Sequence, residues 1–362
     1  MEASWGVQDK CSYLLYSIIV IPVNRVMLKR DDFVIIFRYT EVIPIKNILV
    51  FMLLCLLSCM FLSGCVSTKT REEAIPDDAI KMLPETDMYP PVVHNDEWEQ
   101  PVPLEGPVNT AGAEDAPVIT PDGTTFFFFF TPDVQIPAEK QILDGVTGIW
   151  WCTQDGDSWT EPERVVLSKT LSLDGSLCVE DNILWFCSVR TGNYREIDIY
   201  TAEEQNGKWT NVQNAGYTLN VEYGVGEMYT TADGTTMYYH SNREGGLGGV
   251  DLWSIEKREG EWQEPVHLGS IINTELDEGW PYVSSDGVEL WFTRWSGLGY
   301  MGPALFRTVK LEDGNWSEPE EIISNFAGDP AVDDEGNIYF THHFYSEDME
   351  MIEADIYVAY KK

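Results

Sequence analysis

"DGTTMYYHSNREGGLGGVDLWSIEKREGEWQEPVHL", Asp233 to Leu268, decides how this chain folds. It opens on an Asp-Gly turn and runs into an aromatic, β-branched stretch, which is a hairpin signal. Four glycines in the five residues 245–249 then lead to a second strand-like run from Asp251. A turn at Gly260 leads on to Trp262 and Glu264-Pro265. The glycine loop invites comparison with a phosphate cradle. Such a cradle needs a helix N-terminus after the glycines and usually a lysine. Here a strand follows and the loop has no lysine. The glycines therefore supply turn conformations with positive φ.

The same grammar recurs along the chain. "GDSWTEPERV", "NGKWTNVQNA", "EGEWQEPVHL" and "DGNWSEPEEI" each place a Trp after a turn, at Trp159, Trp209, Trp262 and Trp316, in steps of 50, 53 and 54. A second series starts at Asp122, Asp181, Asp233, Asp286 and Glu335, each followed by an aromatic run. A third comprises "GIWWCT", "DIYTAE", "DLWSIE", "ALFRTV" and "DIYVAY". Short alternating runs rich in Ile, Tyr and Trp read as strands, and no segment of 98–362 keeps a 3.6-residue period. A unit of about fifty residues and four strands, repeated radially, makes a β-propeller. Five second strands are present, the last unit lacks a fourth strand, and a surplus fourth-strand motif with Trp98 precedes the first. The expectation is all-β: a five-bladed propeller of four-stranded antiparallel blades, closed by residues 97–103 joining the last blade.

The combined pattern, an aromatic strand, S-x-R-x-G-G, D-[IL]-[YW], G-x-W-x-E-P and S-x-D-G, resembles the WD40-like propeller repeat of TolB type, most fully from Asp233 to Phe292. That resemblance specifies a fold and says little about activity, because one propeller architecture serves many functions.

Within the repeat, Arg190 and Asp198 have the same separation as Arg243 and Asp251, and units one and four change both places, unit one to Asp133 and Gly148. Unit four has Trp295 and Ala304 at these places, and unit five has His343 and Asp355. Joint loss predicts that the two side chains pair across each hairpin.

Ligands of propellers sit at one end of the channel, on loops joining an outer strand to the next inner one. In those loops lie Asn109, Asn220, Asn273 and Asn325, and, just before the inner strands, Glu114, Asp115, Asp174, Glu227, Asp277, Glu278 and Asp329. On a five-fold ring they form a collar of carboxylates. Three readings stand: turn-stabilising side chains, a site for a cation such as Ca²⁺ or for a basic partner, or a catalytic carboxylate pair acting on a glycosidic bond. A catalytic pair must differ from its repeat equivalents, and these positions look alike. Trp280, Trp295 and Tyr300 can stack on sugar rings or fill gaps between blades.

The chain has 362 residues, 60 acidic against 23 basic, for a formal charge of −37. Such a surface repels nucleic acid and anionic lipid and suits cations, basic proteins or neutral glycans. "KNILVFMLLCLLSCMFLSGC", Lys46 to Cys65, has a charge, an apolar core and small residues, as a secretory signal does. Its Leu62-Ser63-Gly64-Cys65 ending resembles a lipobox, which implies cleavage before Cys65 and lipid on that residue; an uncleaved membrane span is the alternative. Residues 1–45 are a long extension ahead of the signal and read as a start codon placed too far upstream. Residues 65–96, rich in Pro, Asp, Glu and Thr without a period, read as a linker to the propeller at 97–362. Cys152, Cys178 and Cys187 read as buried apolar residues with no zinc motif.

The sequence thus describes a monomeric, lipid-anchored, extracytoplasmic propeller. It acts as a non-catalytic binding module for a protein or cell-envelope glycan, or alternatively as a glycoside hydrolase or lyase.

Overall fold

The computed structural model describes residues 69–156 and 158–362, together with three strands nearer the N-terminus. The chain divides into two units, Met1–Ser67 and Thr68–Lys362. In the first, strands Ser17–Ile21, Arg25–Arg30 and Phe33–Arg38 form one antiparallel sheet. The signal-like segment 46–64 and Cys65 lie outside the described residues. Among the described residues no helix is long and apolar enough to cross a membrane.

The second unit is all-β, built from the three strand series read in the sequence. The first strands of the five units are Ala113–Ile119, Ser172–Glu180, Met228–Thr230, Glu278–Val283 and Ala327–Val332. Each pairs antiparallel with the aromatic strand after it, and that strand with the third. The first strands touch in succession, and that of the fifth unit touches that of the first. Val102–Pro103 pairs with the last strand, Met351–Ala359, and Trp98 bridges to Lys361. Two features depart from five separate four-stranded sheets. A parallel bridge between Ala354 and Ala113 joins the first and fifth units into one nine-stranded sheet, and Val92–Val93 adds a fifth strand to the fourth unit.

The repeated tryptophans explain the packing. Trp209 lies against Phe127 of the preceding unit, Trp262 against Trp185 and Trp316 against Tyr238, with ring centroids 6.0–6.4 Å apart. Trp98 takes the same place on Trp291, at 5.7 Å and edge to face. At these four positions the motif is thus inter-sheet packing, the indole covering the aromatic strand of its neighbour, whereas Trp159 lies 5.4 Å from Phe126 of its own unit.

Residues 69–96 correct the expectation of a linker. Arg71 is fully buried, donating to Val108 O, Pro107 O and Glu114 Oε1 and lying over the rings of Phe128, Phe130 and Trp150. Lys81 bridges Glu353 and Asp355, Asp87 meets His342 at 2.8 Å, and His94 meets Ser324 at 2.6 Å. The segment lacks a period because it is held by individual side chains rather than by an apolar stripe.

The Arg–Asp bridges also need correction. Asp198 accepts from the Tyr194 and Arg195 amides, and Asp251 from those of Leu247 and Gly248. Each carboxylate folds back over its own loop. Arg190 and Arg243 instead lie over the aromatic rings two residues beyond, Tyr200 at 4.4 Å and Trp253 at 4.9 Å. In the fourth unit Arg294, not Trp295, does this, 4.1 Å from the Phe306 ring. The glycine loop is structural, but of its four glycines only Gly245 has positive φ; the others are needed for close approach, since a Cβ at Gly246 would lie 2.2 Å from the Asp251 carboxylate and one at Gly248 1.9 Å from the Leu276 carbonyl.

Candidate functional site

The carboxylate collar separates into two sets. The first belongs to the frame. Glu114 pairs with Arg71 at 3.1 Å, Asp174 with Arg190 at 2.6 Å and Glu278 with Arg294 at 3.8 Å. Glu114 and Glu278 each also accept from a threonine four residues earlier, through both its amide and its hydroxyl. Asp277 is exposed and caps the Val250 amide. Three of the asparagines are frame residues too. Asn109, Asn220 and Asn273 bond both the N–H and the C=O of one third-strand residue, Ile356, Ile199 and Leu252 respectively. Asn325 accepts from Met301 N and donates to Pro90 O. These residues are structural, but most of their bonds reach strands and arginines well beyond their own turns, so they tie the frame together rather than stabilise local turns.

The second set is Asp115, Glu227 and Asp329. Four of the five first strands carry a register shift at the same place, between Asp115 and Val118, Gly175 and Leu177, Gly279 and Tyr282, and Gly328 and Ala331. The bulged residues Ala116, Ser176, Trp280 and Asp329 have φ of 48°, 36°, 51° and 53°. Positive φ is costly for a non-glycine residue, most of all for a bulky one such as Trp280. A bulge re-aims a side chain. Here the bulges, with Glu227 from the third unit, line one cavity of about 220 Å³. Asp115, Cys187 and Ser188 complete much of its wall, and among the described residues no lysine or arginine lines it. Trp280 is 39% exposed at the rim.

These positions do not look alike. Where the first unit has Asp115 the others have Gly175, Gly226, Gly279 and Gly328; where the third has Glu227 the others have Ala116, Ser176, Trp280 and Asp329. Frame acids and mouth acids merge into one collar in the sequence because they stand only one to two residues apart. His240 escapes the repeat pattern altogether. Its ring wedges between the third and fourth first strands, where a Cβ on Gly226 would come within 2.4 Å and one on Gly279 within 3.0 Å. Adjacent His342 and His343 diverge as strand neighbours must: His342 meets Asp87, while His343 lies 4.0 Å from Asp115.

Burial and the nearby Asp115 charge push the Glu227 carboxyl up to about 8. Asp329 rises well above the usual carboxylate range through burial and the charges of Asp115 and Glu227. Burial drives His240 down to about 4. Glu114 is pushed up to about 7, with burial outweighing Thr110 and Arg71. An acid whose folded pKa is raised stabilises most when protonated, and that contribution is lost as pH climbs from its unfolded to its folded value. Melting temperature is therefore expected to fall as pH rises towards about 8, most cleanly from pH 6.5, above which His240 no longer contributes. Glu227→Gln should flatten that slope; an unchanged slope in calorimetry would show that Glu227 does not titrate there.

Ligand atoms of Asp115, Asp329 and His343 all lie within 4.8 Å of one another, a spacing that a small cation fits. Two carboxylates and an imidazole match Ca²⁺ poorly, since it takes six to eight oxygens. Cys178 faces Trp185 and Cys187 faces Gly175 across their hairpin, so the two thiols do not oppose each other; these and Cys152 are free.

No protein-family model matches the chain, and no curated protein does. Solved structures similar to it include BT0996 in a complex with RGII, at 10% identity and TM-score 0.47, covering 75% of this protein and 92% of that one. Another is the xylan β-1,4-xylosidase of Bacillus halodurans C-125, at 12% identity and TM-score 0.43, covering 70% and 54%. A third is the gluconolactonase XC5397 of Xanthomonas campestris, at 12% identity and TM-score 0.40, covering 75% and 95%.

Proposed function

We propose that Thr68–Lys362 is a closed five-bladed propeller, tethered through lipid on Cys65 outside the cytoplasm, and that its channel mouth binds the terminal ring of a glycan. One observation carries the reading. Ala116, Ser176, Glu227, Trp280 and Asp329, one residue from each unit, reach a single cavity whose rim presents an indole and whose wall offers oxygen acceptors without a basic side chain. A sugar ring uses that combination: one apolar face for stacking and hydroxyls for the carboxyl groups. About 220 Å³ is below the usual range for a drug-sized ligand, which favours one ring over an extended segment. The acidic surface weighs against nucleic acid as the partner.

Glycoside hydrolysis is the second reading, favoured by Asp115, which has a glycine at each of its repeat counterparts, and by Glu227, whose one acidic counterpart is Asp329. In it Glu227, which keeps its proton near neutral pH, is the acid, and Asp115, which accepts from the Ala116 amide and Thr341 Oγ1, is the base. A glycan array with the purified protein tests the first reading, which fails if no glycan is retained. Product analysis on the retained glycan separates the two. Binding alone predicts no product and graded affinity losses in Glu227→Gln and Asp115→Asn. Hydrolysis predicts product from the wild type and turnover lowered about 10²–10⁴-fold in those variants, with binding kept.

A further inference from the structure

Asp115, which lines the mouth, and His343, 4.0 Å from it, have chain neighbours that grip the N-terminal segment. Asp115 lines the mouth, and Glu114 beside it holds Arg71. His343 faces Asp115, and His342 beside it holds Asp87. Strand neighbours point to opposite faces, so in each pair one side chain meets the strap and the other points away from it, Asp115 into the mouth and His343 towards Asp115. The grips are deep. Arg71, Glu114 and His342 are at most 2% exposed, and the Asp87 side chain is equally buried. Beside His342 the Nδ1 atom and the Tyr357 hydroxyl have no partner, so among the described residues Asp87 supplies the only hydrogen bond of that imidazole. Between these grips the strap crosses from the first unit to the fifth, and Val92–Val93 carries it onto the fourth.

We infer that residues 71–93 act as a positioning strap for the channel mouth, with Arg71 and Asp87 fixing Asp115 and His343 through Glu114 and His342. In a lipid-anchored protein the same strap leads from the anchor, so seating of the strap and shape of the mouth are linked. The inference rests on the mouth being the binding site, but its test reads the mouth without any ligand.

Cys187 lines the cavity from the second unit, which the strap contacts described above do not reach, whereas Cys178 is buried elsewhere in that unit. Alkylation of each by iodoacetamide is followed by peptide mass spectrometry on the full chain. In Arg71→Ala and in the milder Asp87→Asn, Cys187 is expected to react about tenfold faster through local opening, while Cys178 stays at its wild-type rate. Arg71→Lys should restore most of the protection. Lys81→Met, which releases Glu353 and Asp355, should leave Cys187 unchanged. Equal acceleration of both cysteines would mean general loosening, and an unchanged Cys187 with a protease-sensitive strap would mean a merely structural clasp; either overturns the inference.

Discussion

Trp98→Ala is expected to cost about 3–5 kcal/mol, the range for emptying a buried aromatic site. At a few degrees per kcal/mol for a domain of this size, the melting temperature should fall by roughly 10 °C. The indole is 2% exposed, donates to Gly336 O at 2.8 Å and packs on Trp291. Arg307 and Lys361 lie over its ring at 5.4 and 3.9 Å. It thereby touches the fourth unit and the fifth while belonging to the N-terminal end of the fold. Loss of Trp98 should expose the seam as well as leave a cavity. A change under 1 kcal/mol in thermal or denaturant unfolding would mean that the seam does not depend on it.

Trp280→Ala should weaken glycan binding by about 10–100-fold, the equivalent of losing 1.5–3 kcal/mol of buried aromatic surface. Stability should change little or even improve, because Trp280 is partly exposed and holds a strained φ of 51° that alanine adopts at lower cost. Titration calorimetry with an array-selected glycan reads the first effect. Undiminished affinity would move the site away from the mouth.

Much of the architecture was legible because its signals are periodic. Trp98 stood outside the count of units, yet its motif matched Trp209, Trp262 and Trp316, and the structure gives it their role. The Arg–Asp reading failed because joint loss of two residues does not show that they touch. Arg243 and Asp251 share a hairpin but serve an aromatic ring and a loop respectively. The mouth was obscured by adjacency: Glu114 and Asp115 are consecutive, and only the bulge at Ala116 separates a frame acid from a site acid. A bulge leaves no period in a sequence. The strap was invisible for the opposite reason, since Arg71, Lys81 and Asp87 are isolated side chains held by partners more than 30 residues away.

In the proposed closed ring the N-terminal strand completes the last sheet, and native-state hydrogen exchange of residues 97–104 tests that most directly. The Glu99 amide donates to Tyr360 O and that of Leu104 to Ile356 O, both at 2.9 Å. Protection comparable to that of strand Ile338–Tyr345 is the expected result; exchange of these amides at the rate of free chain would contradict a ring closed in this way.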